Sequence, residues 1–233
     1  MIDFRNKKLL CSTKGNISSI NSSDNVFLIG DYDLGASYAY NLELLLETKD
    51  KEVFSTHIPF SGYDFQLFIG DFTNDKKSEI VIRGSFGGSG GFEVCTIYKC
   101  TKGKLIEIFN QNTFFENNKC SAKYKDNYKL SVICNKKKYT INLANKSKDY
   151  LDYIYDKNQK LNTNFYPTID APTSIYTIKE VYNCYYELLI NQRIVGISNS
   201  DTLGIIQSKV NFLDSTITTV YRYLLLSSTL KWN

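Results

Sequence analysis

The residues best placed for chemistry form an acidic loop, Asp71-Phe-Thr73-Asn-Asp75-Lys-Lys77-Ser-Glu79, followed by Ile-Val-Ile. Alternate positions of a tightly curled loop can turn their oxygens toward one cation. Asp71, Thr73 and Asp75 would offer side chains, Lys77 its backbone carbonyl, and Glu79 a carboxylate directly or through water. Calcium prefers such a cage of hard oxygen donors, with two or three carboxylates offsetting its charge. Against the metal stand Lys76, at the bend where glycine would ease the turn, and Lys77, whose field opposes a divalent ion. Without a cation, Asp71 would cap the turn while Thr73 and Asn74 satisfy local backbone donors.

Other chemistry finds little support. Gly84-Ser-Phe-Gly-Gly-Ser-Gly-Gly91 lacks the Gly-Lys-[Ser/Thr] ending of a phosphate loop, and a strand is expected after it. Its glycines suit a tight hairpin that needs positive φ. His57 is the single histidine, in the expected strand STHIPF, with no serine or cysteine motif beside it. The aspartates at 31, 33, 64, 71 and 201 cannot be paired into a glycosidase cleft from spacing alone. No enzyme class is expected. The six cysteines form no CxxC pair, which argues against zinc. Cys95, Cys134 and Cys184 lie among apolar neighbours and read as small buried hydrophobes, and reduced thiols are expected throughout.

The elements that must carry these residues are strands. The chain has 233 residues, 18 of them Tyr and 14 Phe, and aromatic and β-branched side chains pack well on pleated sheets. Short apolar runs bounded by turn residues are expected as strands at 26–29, 38–47, 52–58, 64–70, 79–83, 92–98, 104–109, 122–124, 128–134 and 139–143. Further strands are expected at 187–195, 203–210 and 217–226. The segment 147–160 could be a short helix or another aromatic strand, and its tyrosines favour the strand, whereas 162–173, with Pro167 and Pro172, is read as an irregular connection. No sustained helical period occurs. The expected class is all-β, with residues 1–233 as a single repeat domain.

The formal charge is +4, and the densest cluster, Lys136-Lys137-Lys138, falls where a solvated hairpin turn belongs. A nucleic-acid surface would need a continuous basic stripe, so no nucleic-acid partner is expected. No apolar run approaches the roughly 20 residues of a membrane span, so no membrane partner is expected either. Taken as complete, the chain would stay in the cytoplasm, and a removed leader would instead place it outside the cell.

One regularity is long-range. Asp71–Glu79 leads into three aliphatics, and Lys179–Glu187 leads into Leu-Leu-Ile. A third version, Asn16–Asp24, enters Val26-Phe-Leu-Ile. The windows begin at 16, 71 and 179, as four units of about 54 residues would require, each with room for four strands. A β-propeller-like arrangement of about four blade-like antiparallel units is expected, with a duplicated β-sandwich as the alternative.

IGDFTNDKKSEIVI, followed by GSFGGSGGFEVCTIY, resembles the FG-GAP/VCBS-type repeat of integrin-α N-terminal-like proteins. Together with YKDNYKLSVI and NQRIVGISNSDTLGIIQS, it is closer still to repeat proteins of low-GC Gram-positive bacteria. The resemblance implies a propeller-like architecture and calcium ligands at Asp71, Thr73, Asp75, the Lys77 carbonyl and Glu79. Asn74 and Lys76 depart from that pattern, standing where it has glycines. The function expected is a non-catalytic module binding a protein or glycan at a rim formed by the 84–91 hairpin and the loop 198–204, with Phe86 or Tyr32 as contacts. A purely structural domain without metal is the alternative, and a hydrolase with its site on the rim the second.

Overall fold

The structure is a computed structural model describing residues 7–33, 35–162, 164–213 and 216–226, and the backbone of 231–232. Sheet A contains β1 (Lys8–Gly15), β2 (Asp24–Tyr32), β3 (Ala39–Glu47) and β4 (Val53–His57) in that order. Sheet B repeats the meander with β5 (Tyr63–Gly70), β6 (Glu79–Gly87), β7 (Phe92–Thr101) and β8 (Lys104–Asn110). Helix α1 (Gln111–Asn117) leads to β9 (Cys120–Lys125), β10 (Lys129–Cys134) and β11 (Lys137–Asn142) of sheet C, and then to α2 (Lys148–Ile154). Sheet D is β12 (Thr168–Ile178), β13 (Glu187–Val195), β14 (Thr202–Asn211) and β15 (Thr218–Leu225), and β16 (Lys231–Trp232) returns to sheet C beside β11. Every pairing among the named strands is antiparallel.

Most strands exist where alternation and turn residues put them, but β1, β16 and helix α1 lie where no element was expected, and three further readings fail. Residues 147–160 contain helix α2 rather than a strand. Ser147 caps it by accepting the Tyr150 N–H at 3.3 Å, and Leu151 and Ile154, three apart, lay an apolar stripe on the core. The supposed irregular stretch 162–173 contains the first part of β12. Pro172 is accommodated because the register shifts on both sides of it, the bulged setting in which a strand tolerates proline. Finally, Cys120 and Cys134 are directly opposed on β9 and β10 and form a disulfide, so the expectation of reduced thiols throughout fails. Cys184 is exposed rather than buried.

The propeller-like expectation is overturned by how the four sheets pack. They are separate antiparallel sheets joined through three apolar clusters. The first, with Leu28, Leu44, Ile80 and Ile82, joins A to B. The second, with Val81, Ile97, Leu188 and Val210, joins B to D. The third, with Leu130, Val132, Ile194 and Ile206, joins C to D. Among the described residues no apolar cluster joins A to C, so the sheets run in the open series A–B–D–C instead of around a ring. Sheet B is buried on both faces, Ile80 and Ile82 against A and Val81 between them against D, which explains the unbroken apolar run EIVI. Sheet D uses the two ends of one face, Ile190 toward B and Ile194 toward C. Between them lies a buried polar seam of Gln192, Ser208 and Arg222. A duplicated β-sandwich, A with B and C with D, describes the arrangement better.

Candidate functional site

The loop 71–79 is curled as its sequence suggests, and its interior is already filled. Asn74 and Lys76, at the positions where glycines would be favoured, have φ of 59° and 68°, the left-handed backbone that bends the chain sharply. Asp71 accepts the Asn74 N–H at 2.7 Å and the Lys76 N–H at 2.8 Å, one with each oxygen. Asp75 accepts the Lys77 N–H at 3.0 Å. Glu79, fully buried at the start of β6, accepts the Phe72 and Thr73 N–H groups at 2.7 and 3.3 Å and the Thr73 hydroxyl at 3.0 Å. Phe72 is the apolar anchor, fully buried and edge-on to Phe68 and Phe212.

The cation of this loop is Lys99 on β7. Its Nζ lies 2.9 Å from Asp75 Oδ2 and 3.6 Å from Glu79 Oε1, and donates to Thr73 Oγ1 at 2.7 Å. Thus Thr73, Asp75 and Glu79, three of the five expected metal ligands, converge on an ammonium. Asp71 instead closes the backbone turn, and Lys77 approaches Asp75 with its Nζ at 3.7 Å. Burial pushes the Glu79 carboxyl above its usual range, against the opposing pull of the Phe72 N–H, Thr73 and Lys99. Burial also raises Asp75, but Lys99 and the Lys77 N–H outweigh it and hold that carboxyl below the usual range. Among the described residues, no group of three or more His, Cys, Asp or Glu side chains is arranged to hold a metal ion.

The sister loops share this construction. Asp24, fully buried at the start of β2, accepts the Ile17 and Ser18 N–H groups at 3.1 and 2.6 Å and the Ser22 hydroxyl at 2.6 Å. Burial pushes Asp24 up, yet these donors and the Lys49 N–H bring it below the usual value. Glu187, buried at the start of β13, is 2.8 Å from Lys209 Nζ, which also pairs with Glu180. Burial works against the Lys209 charge, but the two glutamates hold its pKa above the usual value. The three loops also touch one another. Ser78 N–H donates to Asn16 O at 2.9 Å, Asn16 Nδ2 to Lys76 O at 2.8 Å, and Tyr186 N–H to Asp71 O at 2.6 Å. Gly70 is fixed by this meeting, since a Cβ there would stand 2.6 Å from the Tyr186 ring.

Sequence reasoning missed Lys99 and Lys209. Their signal was present: each interrupts an apolar strand, IYKC and QSKV, where an unpaired lysine would be costly.

Away from these loops, the glycine-rich hairpin and the loop after β13 do meet. Asn199 Nδ2 donates to Ser89 O at 3.1 Å, and Arg193 bonds both Asn199 and Asp170. Gly87, Gly88 and Gly91 take φ of 76°, 78° and 62°, as the tight turn requires. Beside them a polar groove of about 330 Å³ includes Asp64, Arg83, Glu93 and Thr173, with Arg83 and Glu93 paired at 2.9 Å. An adjoining groove of about 520 Å³ includes Lys8, Tyr32, Asp33 and, again, Asp64. Phe86 packs edge-on against Phe60 and is partly exposed. His57 is exposed on β4, opposite Glu43, and lines neither groove. No described helix is long and apolar enough to cross a membrane.

The matches to known proteins follow the architecture. No solved structure matches the chain. Over 207 residues it is 28% identical to a protein of Bacillus subtilis (strain 168) described as "Uncharacterized protein YybI", covering 87% of this chain and 79% of that protein. The resemblance to FG-GAP/VCBS and integrin-α-like repeats is therefore not upheld. The loop that carried it belongs to a chain whose similarity lies elsewhere, and the sheets do not form a propeller. Residues 118–225 match the family model described as the YybI C-terminal domain, a span that begins just before β9 and ends with β15, covering the C–D sandwich apart from β16.

Proposed function

We propose that this chain is a structural, non-catalytic β module whose acidic loop is closed by its own lysine and needs no calcium. The observation that carries this reading is Lys99 within reach of Asp75, Glu79 and the Thr73 hydroxyl at once. An ammonium supplies the positive charge and the donors that these oxygens require. A divalent ion seated there would first have to displace it. The repetition of the device at Lys209 and Glu187 supports a common role in fastening each loop to its sheet. The test is calorimetric and thermal titration of calcium into chelator-treated protein at constant ionic strength. No heat and no rise in melting temperature at millimolar calcium is the expected result. A rise abolished by Asp71→Ala/Asp75→Ala would overturn it.

A second reading, a protein- or glycan-binding module, is favoured by one feature of the rim. Asp64 has φ of 53° and is shared by both grooves, and strained non-glycine backbone tends to be kept at working surfaces. Screening an immobilised glycan panel with the wild type and Asp64→Gly/Arg83→Ala tests it. Binding lost in the variant supports this reading, whereas no glycan retained by the wild type removes the glycan half of it.

A further inference from the structure

The Lys136–Lys138 run is not merely a solvated turn. The two-residue turn is Asn135-Lys136, and Lys137 already pairs with Cys134 as the first residue of β11. Between this hairpin and β15 lies a cavity of about 170 Å³, whose lining includes Asn135, Lys137, Tyr139, Thr219 and Arg222 and contains no acidic residue. Arg222 is only 8% exposed. Its Nε donates to Ser208 Oγ and its Nη2 to Asn118 Oδ1, each at 2.9 Å. Both partners are neutral, and no carboxylate among the described residues forms an ion pair with it.

A guanidinium has five N–H donors and keeps its charge in proteins. Burying it without a counter-charge is costly. Burial accordingly pulls Arg222 below its usual pKa. The cavity is thus positive, with Lys137 exposed at the hairpin and the Tyr139 hydroxyl on its wall donating to the Arg222 carbonyl at 3.3 Å. Its volume suits one small group rather than a nucleotide or a peptide. A planar carboxylate offers two oxygens, whereas donors arriving from the hairpin and from β15 match the three or four oxygens of a tetrahedral group.

We propose that this cavity binds a phosphate-class oxyanion, with Arg222 as the buried counter-charge and Lys137 as the cation of the mouth. The site is independent of the acidic loops. The experiment is titration of inorganic phosphate into the full chain, read by calorimetry and by melting temperature, with sodium chloride at matched ionic strength as the control. Phosphate is expected to stabilise the protein beyond chloride. Arg222→Met should weaken phosphate by about tenfold or more, as loss of a charge-assisted bond implies. Lys137→Gln should weaken it by a smaller factor.

Equal effects of phosphate and chloride, or undiminished affinity in Arg222→Met, would overturn the proposal, as would acetate binding as well as phosphate. If Arg222→Met does not fold, the exposed Lys137→Gln decides, and unchanged affinity there rejects the site. Glycerol phosphate and vesicles of phosphatidylglycerol against phosphatidylcholine separate the sources. Binding of glycerol phosphate marks a soluble phosphate ester, and Arg222-dependent binding to the anionic vesicles marks a lipid headgroup.

Discussion

Replacing Lys99 by methionine tests the loop directly, because it removes the ammonium and keeps most of the side-chain volume. Glu79 is fully buried, and the Lys99 side chain retains 17% exposure. Breaking a buried ion pair by removing one partner costs about 3–5 kcal/mol, and the residual solvent contact of Lys99 lowers this to about 2–4 kcal/mol. For a chain of this length each kcal/mol moves the melting temperature by about 2–4 °C, so a fall of about 4–16 °C is expected at neutral pH. The deficit must depend on pH in one direction. Glu79 already has a raised native pKa, so the native state holds its proton more tightly than the unfolded chain. Its contribution is therefore full below the ordinary glutamate value of about 4.3 and declines as pH rises through the native value. Removing Lys99 raises that native value further. The gap between variant and wild type should then be smaller near pH 4, where the Asp75–Lys99 pair is lost but Glu79 is protonated, and fully developed by pH 8. Thermal melts of both proteins across that range, with Glu79→Gln/Lys99→Met as the neutralised pair, provide the assay. A Lys99→Met protein as stable as wild type at pH 8, a deficit independent of pH, or no recovery in the double variant would refute the reasoning.

The other loops and turns give further expectations. Asp24 and Asp75 have depressed pKa values, so their stabilisation is present above the ordinary aspartate value of about 3.9 and is lost as pH falls through their native values. Asp24→Asn should flatten the acid limb of a pH–stability curve measured in urea. Gly196→Ala would put a Cβ 1.9 Å from the Asp201 carboxylate and 2.8 Å from the Tyr150 hydroxyl. It would displace the carboxylate that bonds Tyr150, Lys146 and the Ile197 N–H, and should lower stability by about 2 kcal/mol in equilibrium unfolding. The Cys120–Cys134 bridge closes a loop with a sequence separation of 14, for which the chain-entropy model gives about 3 kcal/mol. Non-reducing mass spectrometry should find the linked peptides, and Cys120→Ala/Cys134→Ala should melt earlier than the oxidised wild type.

How much could be read from the residues follows from how local each signal is. Strand positions were legible because alternation, aromatic content and turn residues act over a few positions, as in Phe92–Thr101 and Glu187–Val195. The recurrence of 16–24, 71–79 and 179–187 was legible too, since each window ends at a buried carboxylate that fastens the loop to a strand start. Helix α2 was missed because its tyrosines fit either period, and only the Ser147 cap and the Leu151–Ile154 spacing distinguish them. The order of the sheets was not legible at all. Equal spacing along the chain suits a ring as well as an open series, and the choice rests on which distant faces meet. Lys99 illustrates the same limit at the site, because its partners lie 20 and more positions earlier and only the β6–β7 pairing brings them together.

Sheet C has a particular dependence on time. Its first three strands are consecutive, but its fourth, β16, comes from residues 231–232 and pairs with Ile141 and Asn142. During synthesis β11 must therefore wait, its outer edge unpaired, while all of sheet D is made and released. Sheets A and B need no such delay, since each closes on contiguous chain. A ribosome stalled before residue 231 would hold a nascent protein with the A–B half finished and the C–D half incomplete, open at the outer edge of β11.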